Sequence, residues 1–243
     1  MSRPFAVFDI DGTIIRWQLF HAITDALAKD KALPPRLYAQ IQQARQRWKT
    51  RTHEESFKEY EHQLVDNFKT VLKGMDVAAH KRASQAVFEE YKDQVYRYTR
   101  GLITELKAKG YVLFAISGSP TDVVEPFASY YGVDDFVSTR YMSSGSTYTG
   151  ESEVFLGRKD QALDMLVKKH GLNYKDSIAV GDSEGDIAML GAVENPIAFN
   201  PSKILLAEAK AKGWKIVVER KNVIYELSKQ NGVYILENQP DGN

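Results

Sequence analysis

An α/β fold, in which a doubly wound, mostly parallel sheet is interrupted by an inserted all-helical cap, is what this sequence predicts. Three observations carry it. Short apolar, β-branched runs recur at residues 5–10, 111–117, 177–181, 196–199 and 215–219. Helical patterns at 121–131, 159–170, 186–190 and 202–212 separate the later runs. Such alternation is the pattern of buried parallel strands with helices on both faces. Residues 17–98, by contrast, show helical spacing and no strand.

The first run, Phe5-Ala6-Val7-Phe8, leads straight into Asp9-Ile10-Asp11-Gly12-Thr13. A buried parallel strand opens at its carboxyl end onto a ligand crevice. Period-two geometry sends Asp9 and Asp11 the same way, and Gly12 ends the strand in a turn that other residues resist. Two carboxylates at such a mouth suit a hard cation, and one of them suits a nucleophile.

In the stretch that follows, Leu19, Ala22, Ile23, Ala26 and Leu27 keep helical spacing, as do Phe57, Tyr60, Leu64, Phe68, Val71 and Leu72. Pro34-Pro35 and Gly74 break the pattern, so about four helices are expected. The predicted division is a discontinuous core, 1–15 and 97–243, around a cap at 16–96 that closes over the Asp9/Asp11 mouth. A helix at 101–110 enters the second strand. Residues 136–153 read as a small hairpin around Ser143-Ser144-Gly145-Ser146, and the tail beyond Glu237 as frayed.

Composition narrows the function classes. The 243 residues carry 32 Lys and Arg against 32 Asp and Glu, so no net field favours nucleic acid or an anionic membrane. No Cys is present, which excludes disulfides, thiolate nucleophiles and Cys metal sites. The expectation is a cytoplasmic protein with neither a nucleic-acid nor a membrane partner. Oligomeric state is not legible.

Three further clusters fall at predicted strand ends or helix starts. In Ser117-Gly118-Ser119-Pro120, a hydroxyl and backbone N–H groups suit a phosphate oxygen; Ser117 reads as a ligand and Ser119 as a helix cap. Lys159 opens a helix whose dipole opposes it, so neutralising anions is a reason for its place, with Arg158 the alternative base. In Gly181-Asp182-Ser183-Glu184-Gly185-Asp186, Asp182 is positioned for a metal and Asp186 for accepting from metal-bound water or orienting Lys159.

The order D-x-D-G-T, strand-end Ser, Lys, then G-D-S-x-x-D resembles the haloacid dehalogenase superfamily of phosphohydrolases, with a Rossmann-like core. The position of the helical insert resembles the phosphoserine phosphatase branch. The resemblance implies a phosphomonoester hydrolase acting on a small metabolite. Asp9 would be the nucleophile forming an aspartyl phosphate, and Asp11 the acid and then the base. Ser117, Gly118 and Lys159 would hold phosphate. Mg²⁺ would bind Asp9, Asp182 and the Asp11 carbonyl, with Asp186 and Thr13 supporting. Two alternatives share the scaffold: a phosphotransferase, and a non-catalytic phosphate-binding protein.

Departures from the branch bear on the substrate. Its acidic amine reader, nine positions after the nucleophile, is Gln18 here, and its carboxylate-reading Arg aligns near Tyr60. The Asn before its last Asp is Gly185. L-phosphoserine is therefore not expected as the main substrate. Trp17, Gln18 and His21 are the candidate readers. Arg45, Arg47, Lys49 and Arg51, followed by Glu54, Glu55, Glu59 and Glu61, read as a solvated, charge-paired helix face.

Overall fold

The computed structural model describes residues 3–50, 53, 55–155 and 157–237. Its sheet has nine strands: β1 (Phe5–Phe8), β2 (Val112–Pro120), β3 (Asp135–Ser144), β4 (Thr147–Glu153), β5 (Ile178–Gly181), β6 (Asn195–Phe199), β7 (Lys215–Arg220), β8 (Val223–Gln230) and β9 (Val233–Leu236). They run in the order β4-β3-β2-β1-β5-β6-β7-β8-β9. From β1 the chain winds outward to β2 and β3, then returns to the other side of β1 for β5, β6 and β7, all parallel. That reversal puts a switch point at the carboxyl end of β1, where open α/β sheets bind ligands.

Alternate residues of β1 feed two cores. Ala6 and Phe8 pack with α5 (Arg97–Ala108) and α6 (Thr121–Tyr131), through Ile103, Leu106, Val123 and Phe127. Phe5 and Val7 pack with α7 (Lys159–Lys169), α8 (Ile187–Ala192) and α9 (Lys203–Lys212), through Leu163, Leu166, Met189 and Leu205. Burial on both faces is why these strands read as unbroken apolar runs.

Four helices precede α5: α1 (Leu19–Lys29), α2 (Pro35–Lys49), α3 (Ser56–Leu72) and α4 (Val77–Tyr91). α1 packs on α4, and α2 on α3. The chain leaves and re-enters the core side by side, with Arg16 N donating to the Gln94 carbonyl (2.9 Å) and Tyr96 N to that of Ile14 (3.1 Å). The α3–α4 turn is sewn to β4: Gly74 N donates to the Tyr148 carbonyl (2.9 Å) and Tyr148 N to that of Met75 (3.0 Å). Beside this seam Asp122 of α6 accepts from Tyr148 Oη at 2.6 Å and lies 2.8 Å from Nδ1 of the buried His80 of α4. No helix among the described residues is long and apolar enough to cross a membrane.

Two parts depart from expectation. Residues 136–153 are more than a hairpin. Asp135, Phe136 and Val137 first pair in parallel with β2, and the same strand then turns antiparallel to β4. The hairpin is local and visible in spacing, whereas the parallel pairing depends on a distant strand. β8 and β9 were not anticipated at all. Their turn holds Asn231 and Gly232 at φ of 51° and 83°, the backbone a tight hairpin requires. The Asn-Gly pair was the available signal. The tail beyond Glu237 lies outside the described residues.

Candidate active site

Asp9 still belongs to the sheet, its N–H donating to the Val180 carbonyl of β5 at 2.9 Å. Beyond it the chain folds into a tight turn in which the Ile10 carbonyl accepts from the N–H groups of Ile14 (2.9 Å) and Ile15 (3.0 Å). Gly12 sits at φ +79°, and a Cβ there would stand 2.2 Å from Asp182 Oδ2. At Gly181 a Cβ would stand 2.5 Å from that of Asp186. The two glycines thus let the acidic loops close on each other. Gly12→Ala is expected to destabilise the fold by about 1–2 kcal/mol or more, from the left-handed backbone alone, and to displace Asp182. Urea unfolding checks the first effect and Mg²⁺ titration calorimetry the second; unchanged values in both would remove the close-approach argument.

Lys159, at the first turn of α7, is buried and donates from Nζ to Asp9 Oδ1 and to Asp186 Oδ1, both at 2.6 Å. Arg158 instead bonds the Val154 carbonyl at 2.8 Å. The second oxygen of the fully buried Asp186 accepts from Asp182 N (3.1 Å), Ser183 N (3.0 Å) and Ser183 Oγ (3.1 Å). Both Asp186 oxygens are therefore occupied, which suits orienting Lys159 and the loop. Asp9, Asp182 and Asp186 bring one oxygen each within 4.8 Å of one another.

Three carboxylates around one ammonium leave the cluster with excess negative charge. Burial pushes Asp9 up to about 7 against the pull of Lys159, with Asp186 and Asp11 adding to the rise. Burial, then Asp9 and Asp186, hold Asp182 well above the usual carboxylate range. Burial alone would lower Lys159, but Asp186 and Asp9 raise it. A carboxylate raised by folding binds more protons in the folded than in the unfolded chain, so its contribution is favourable at low pH and lost as pH rises through the folded value. Asp9 is thus expected to take on the order of 4 kcal/mol from metal-free protein between pH 4 and 7, against His21, which is pushed down to about 3 and so adds stability as pH rises toward 6.5. Urea midpoints in EDTA at pH 5 and pH 7.5, compared between wild type and Asp9→Asn, isolate the Asp9 part: the variant's advantage should grow with pH, and an advantage that shrinks would contradict the crowding.

Asp11 lies apart from that cluster. Its Oδ1 accepts from Leu19 N at 2.5 Å, at the start of α1, and its Oδ2 from Ser117 Oγ and Ser119 Oγ, both at 2.8 Å. Burial raises its pKa against these hydrogen bonds. Ser119 is therefore no helix cap: the capping position of α6 is Pro120, and the Ser119 hydroxyl holds Asp11. Ser117 and Ser119 stand two apart on β2, a period-two signal that the sequence reading passed over. Ser117 Oγ also accepts from Ser119 N at 2.9 Å, and the Gly118 carbonyl accepts from Thr139 Oγ1 at 2.7 Å. Thr13 is fully buried; its carbonyl accepts from Thr99 Oγ1 at 2.9 Å, while its own hydroxyl has no partner.

Of the candidate substrate readers, Trp17 is partly exposed, with its ring 6.4 Å from that of His21 and 6.5 Å from that of Trp48. Gln18 stands at the N-cap of α1 with no capping bond from its side chain, and the Leu19 N–H donates to Asp11. His21 is 1% exposed, and burial, then the Arg45 charge, push its pKa down to about 3, so it is neutral. The basic run is not one solvated face. Arg45 turns inward, donating to Tyr60 Oη (2.8 Å) and Asp25 Oδ2 (2.7 Å). Its position falls on the buried stripe with Ile41 and Ala44, a periodicity masked by the neighbouring charges. Arg47 and Lys49 are exposed; Arg51 and Glu54 lie outside the described residues.

With this geometry established, the chain belongs to the haloacid dehalogenase-like hydrolase family, whose model matches residues 6–191; a second model of that description matches residues 157–236. It is 33% identical over 126 residues to the inhibition of morphological differentiation protein of Streptomyces azureus, covering 51% of this chain and 46% of that one. It is 34% identical over 110 residues to a phosphoserine phosphatase of Methanocaldococcus jannaschii, covering 44% of this chain and 52% of the relative. The chain spans about half the length of the first curated relatives it matches. Among solved structures, a protein of unknown function from Bordetella pertussis Tohama I shares the fold with a TM-score of 0.70 at 21% identity, covering 89% of this chain and 98% of that one.

Proposed function

We propose that this chain is a Mg²⁺-dependent phosphomonoester hydrolase that forms a covalent phosphate ester on Asp9, with residues 16–96 as the cap over its site. The observation that carries the reading is the buried Asp9 carboxylate at the end of β1, held by Lys159 and facing Asp182 and Asp186. A nucleophile at a switch point, a fixed ammonium and a separately held second carboxylate are the parts that phosphoryl transfer asks for. Relatives named phosphoserine phosphatase support the same class.

The donor set fits a hard cation: Asp9 and Asp182 bring oxygens within 4.8 Å of each other, Lys159 is one ammonium against three carboxylates, and burial, with the neighbouring carboxylates, raises both groups. Those two groups and the Asp11 carbonyl would hold Mg²⁺. When bound, the ion neutralises phosphate oxygens and lets the carboxylate approach a dianion.

The chain's own groups perform the proton and bond changes. In the first step the Asp9 oxygen that Lys159 does not hold bonds to phosphorus, and the bond from phosphorus to the organic oxygen breaks. Protonated Asp11 gives its proton to that leaving oxygen; burial, which raises its pKa, favours the acid form. In the second step a water oxygen bonds to phosphorus, its proton passes to Asp11, and the Asp9–phosphorus bond breaks. Ser117 and Ser119 fix Asp11 for both transfers, and Lys159 fixes Asp9 and a phosphate oxygen.

Phosphate release from a panel of phosphomonoesters, with Mg²⁺ or EDTA, tests the reading. Turnover with Mg²⁺ and none with EDTA is expected. Faster transfer to added alcohols than to water would move the assignment to a phosphotransferase. Folded protein that binds phosphate without turning over any ester would move it to a binding protein.

A further inference from the structure

The insert also presents groups suited to the organic part of the substrate, an inference that rests on the hydrolase reading above. On α3, Glu61 stands four residues after Phe57 and three after Lys58, so it neighbours both on one side of the helix. Lys58 fixes where that face looks, because its Nζ lies 3.5 Å from Glu184, in the loop between Asp182 and Asp186. Glu61 neighbours Lys58 on the helix, and burial, with Asp11 and Glu184 as like charges, raises its pKa against the pull of His62 and Lys58. It is only partly exposed, and among the described residues it has no hydrogen bond or ion pair. A half-buried, unpaired carboxylate beside other carboxylates is unfavourable, and a cationic ligand group relieves it.

The neighbouring groups favour the same kind of ligand. Phe57, one turn before Glu61, has its ring 5.0 Å from that of Trp48, which stands 6.5 Å from that of Trp17. All three rings are partly exposed, and aromatic faces attract cations. Beside them His21 is buried to 1% exposure with its Nδ1 unpartnered, and it carries no charge to repel a cation. Positive charge is already balanced here. Lys58 faces Glu184, and Arg45 is bound to Asp25 and Tyr60, with only its Nη2 lacking a partner. Among the described residues, Arg45 thus already has a carboxylate partner, and the exposed Arg47 donates to the Gln63 amide oxygen at 3.0 Å.

We propose that the substrate is the phosphomonoester of a cationic alcohol without a carboxylate, an alkylammonium or quaternary ammonium compound. Its cation rests against Trp17, Trp48 and Phe57, with Glu61 as counter-charge.

The test compares kcat/KM for phosphocholine, phosphoethanolamine, glycerol phosphate and L-phosphoserine in the wild type, Glu61→Gln and Glu61→Asp. The two cationic esters are expected to exceed glycerol phosphate and L-phosphoserine by about tenfold. Glu61→Gln is expected to erase that ratio, and Glu61→Asp to restore part of it. Equal values, preference for glycerol phosphate or L-phosphoserine, or a variant that lowers every ester in proportion would overturn the assignment. A second measurement does not need turnover: phosphocholine and glycerol phosphate are titrated into Asp9→Asn by tryptophan fluorescence. Trp17 and Trp48 report on the insert, whereas Trp214 lies in the core against α9. Tighter saturation by phosphocholine supports the cation site, and equal or no response overturns it. Wild type that hydrolyses no ester refutes the hydrolase reading, and this titration then still decides the cation site.

Discussion

Asp9→Asn is expected to lower phosphate release by about 10⁴-fold or more, the scale of removing a nucleophile that acts as part of a unit. The amide keeps an oxygen for Lys159, whose Nζ lies 2.6 Å from Asp9 Oδ1, but its oxygen is too weak a nucleophile to attack phosphorus. Stability should move the other way. Asp9 shares its pocket with Asp182 and Asp186, so removing one negative charge relieves repulsion, and the variant in EDTA at pH 7.5 should unfold at the wild-type urea concentration or above it. The pair of measurements is what makes the test sharp. Inactivity with unchanged stability identifies a chemical role, whereas turnover within tenfold of wild type would place the nucleophile elsewhere.

Lys159→Met is expected to have the largest effect on the fold. Among the described residues Lys159 is the one cation bonded to Asp9 and Asp186, and its side chain is 7% exposed. Breaking a buried pair by removing one partner costs about 3–5 kcal/mol, because the other charge is left uncompensated. At pH 7.5 in EDTA the loss should be fully visible. At pH 5 it should shrink, because Asp9, raised to about 7, and the raised Asp182 take up protons and remove the charge that Lys159 balances. Urea unfolding at the two pH values measures both terms. Equal losses at both would mean that Lys159 acts by packing and not by charge. Saturating Mg²⁺ should recover part of the stability in either protein, by about 2.7 kcal/mol at a hundredfold excess over Kd.

The gathering of the acidic residues and Lys159 was legible because its signals are local. Asp9, Asp11, Asp182, Asp186 and Lys159 each stand next to a strand end or helix start marked by apolar runs and glycines, so sequence neighbours alone predict a common mouth. The structure added the reason for the glycines: at Gly12 and Gly181 the opposing carboxylate loops leave no room for a Cβ. Ser119 was misread because its cap role is a local pattern, while its bond to Asp11 joins residues 108 positions apart.

By itself, then, the sequence determined the parallel core and the place of the helices between its first two strands, since burial on both faces is written in consecutive residues; the period-two reading of Asp9 and Asp11 did not hold, because the strand ends at Phe8 and Asp11 lies in the turn beyond it. Only the tertiary structure decided which side chains meet. It paired Arg45 with Asp25 and Tyr60 inside the insert, extended β3 into the main sheet, and set Lys58 of α3 against Glu184. Those contacts join residues far apart in the chain, and their partners are selected by how helices and strands pack, which no local pattern encodes.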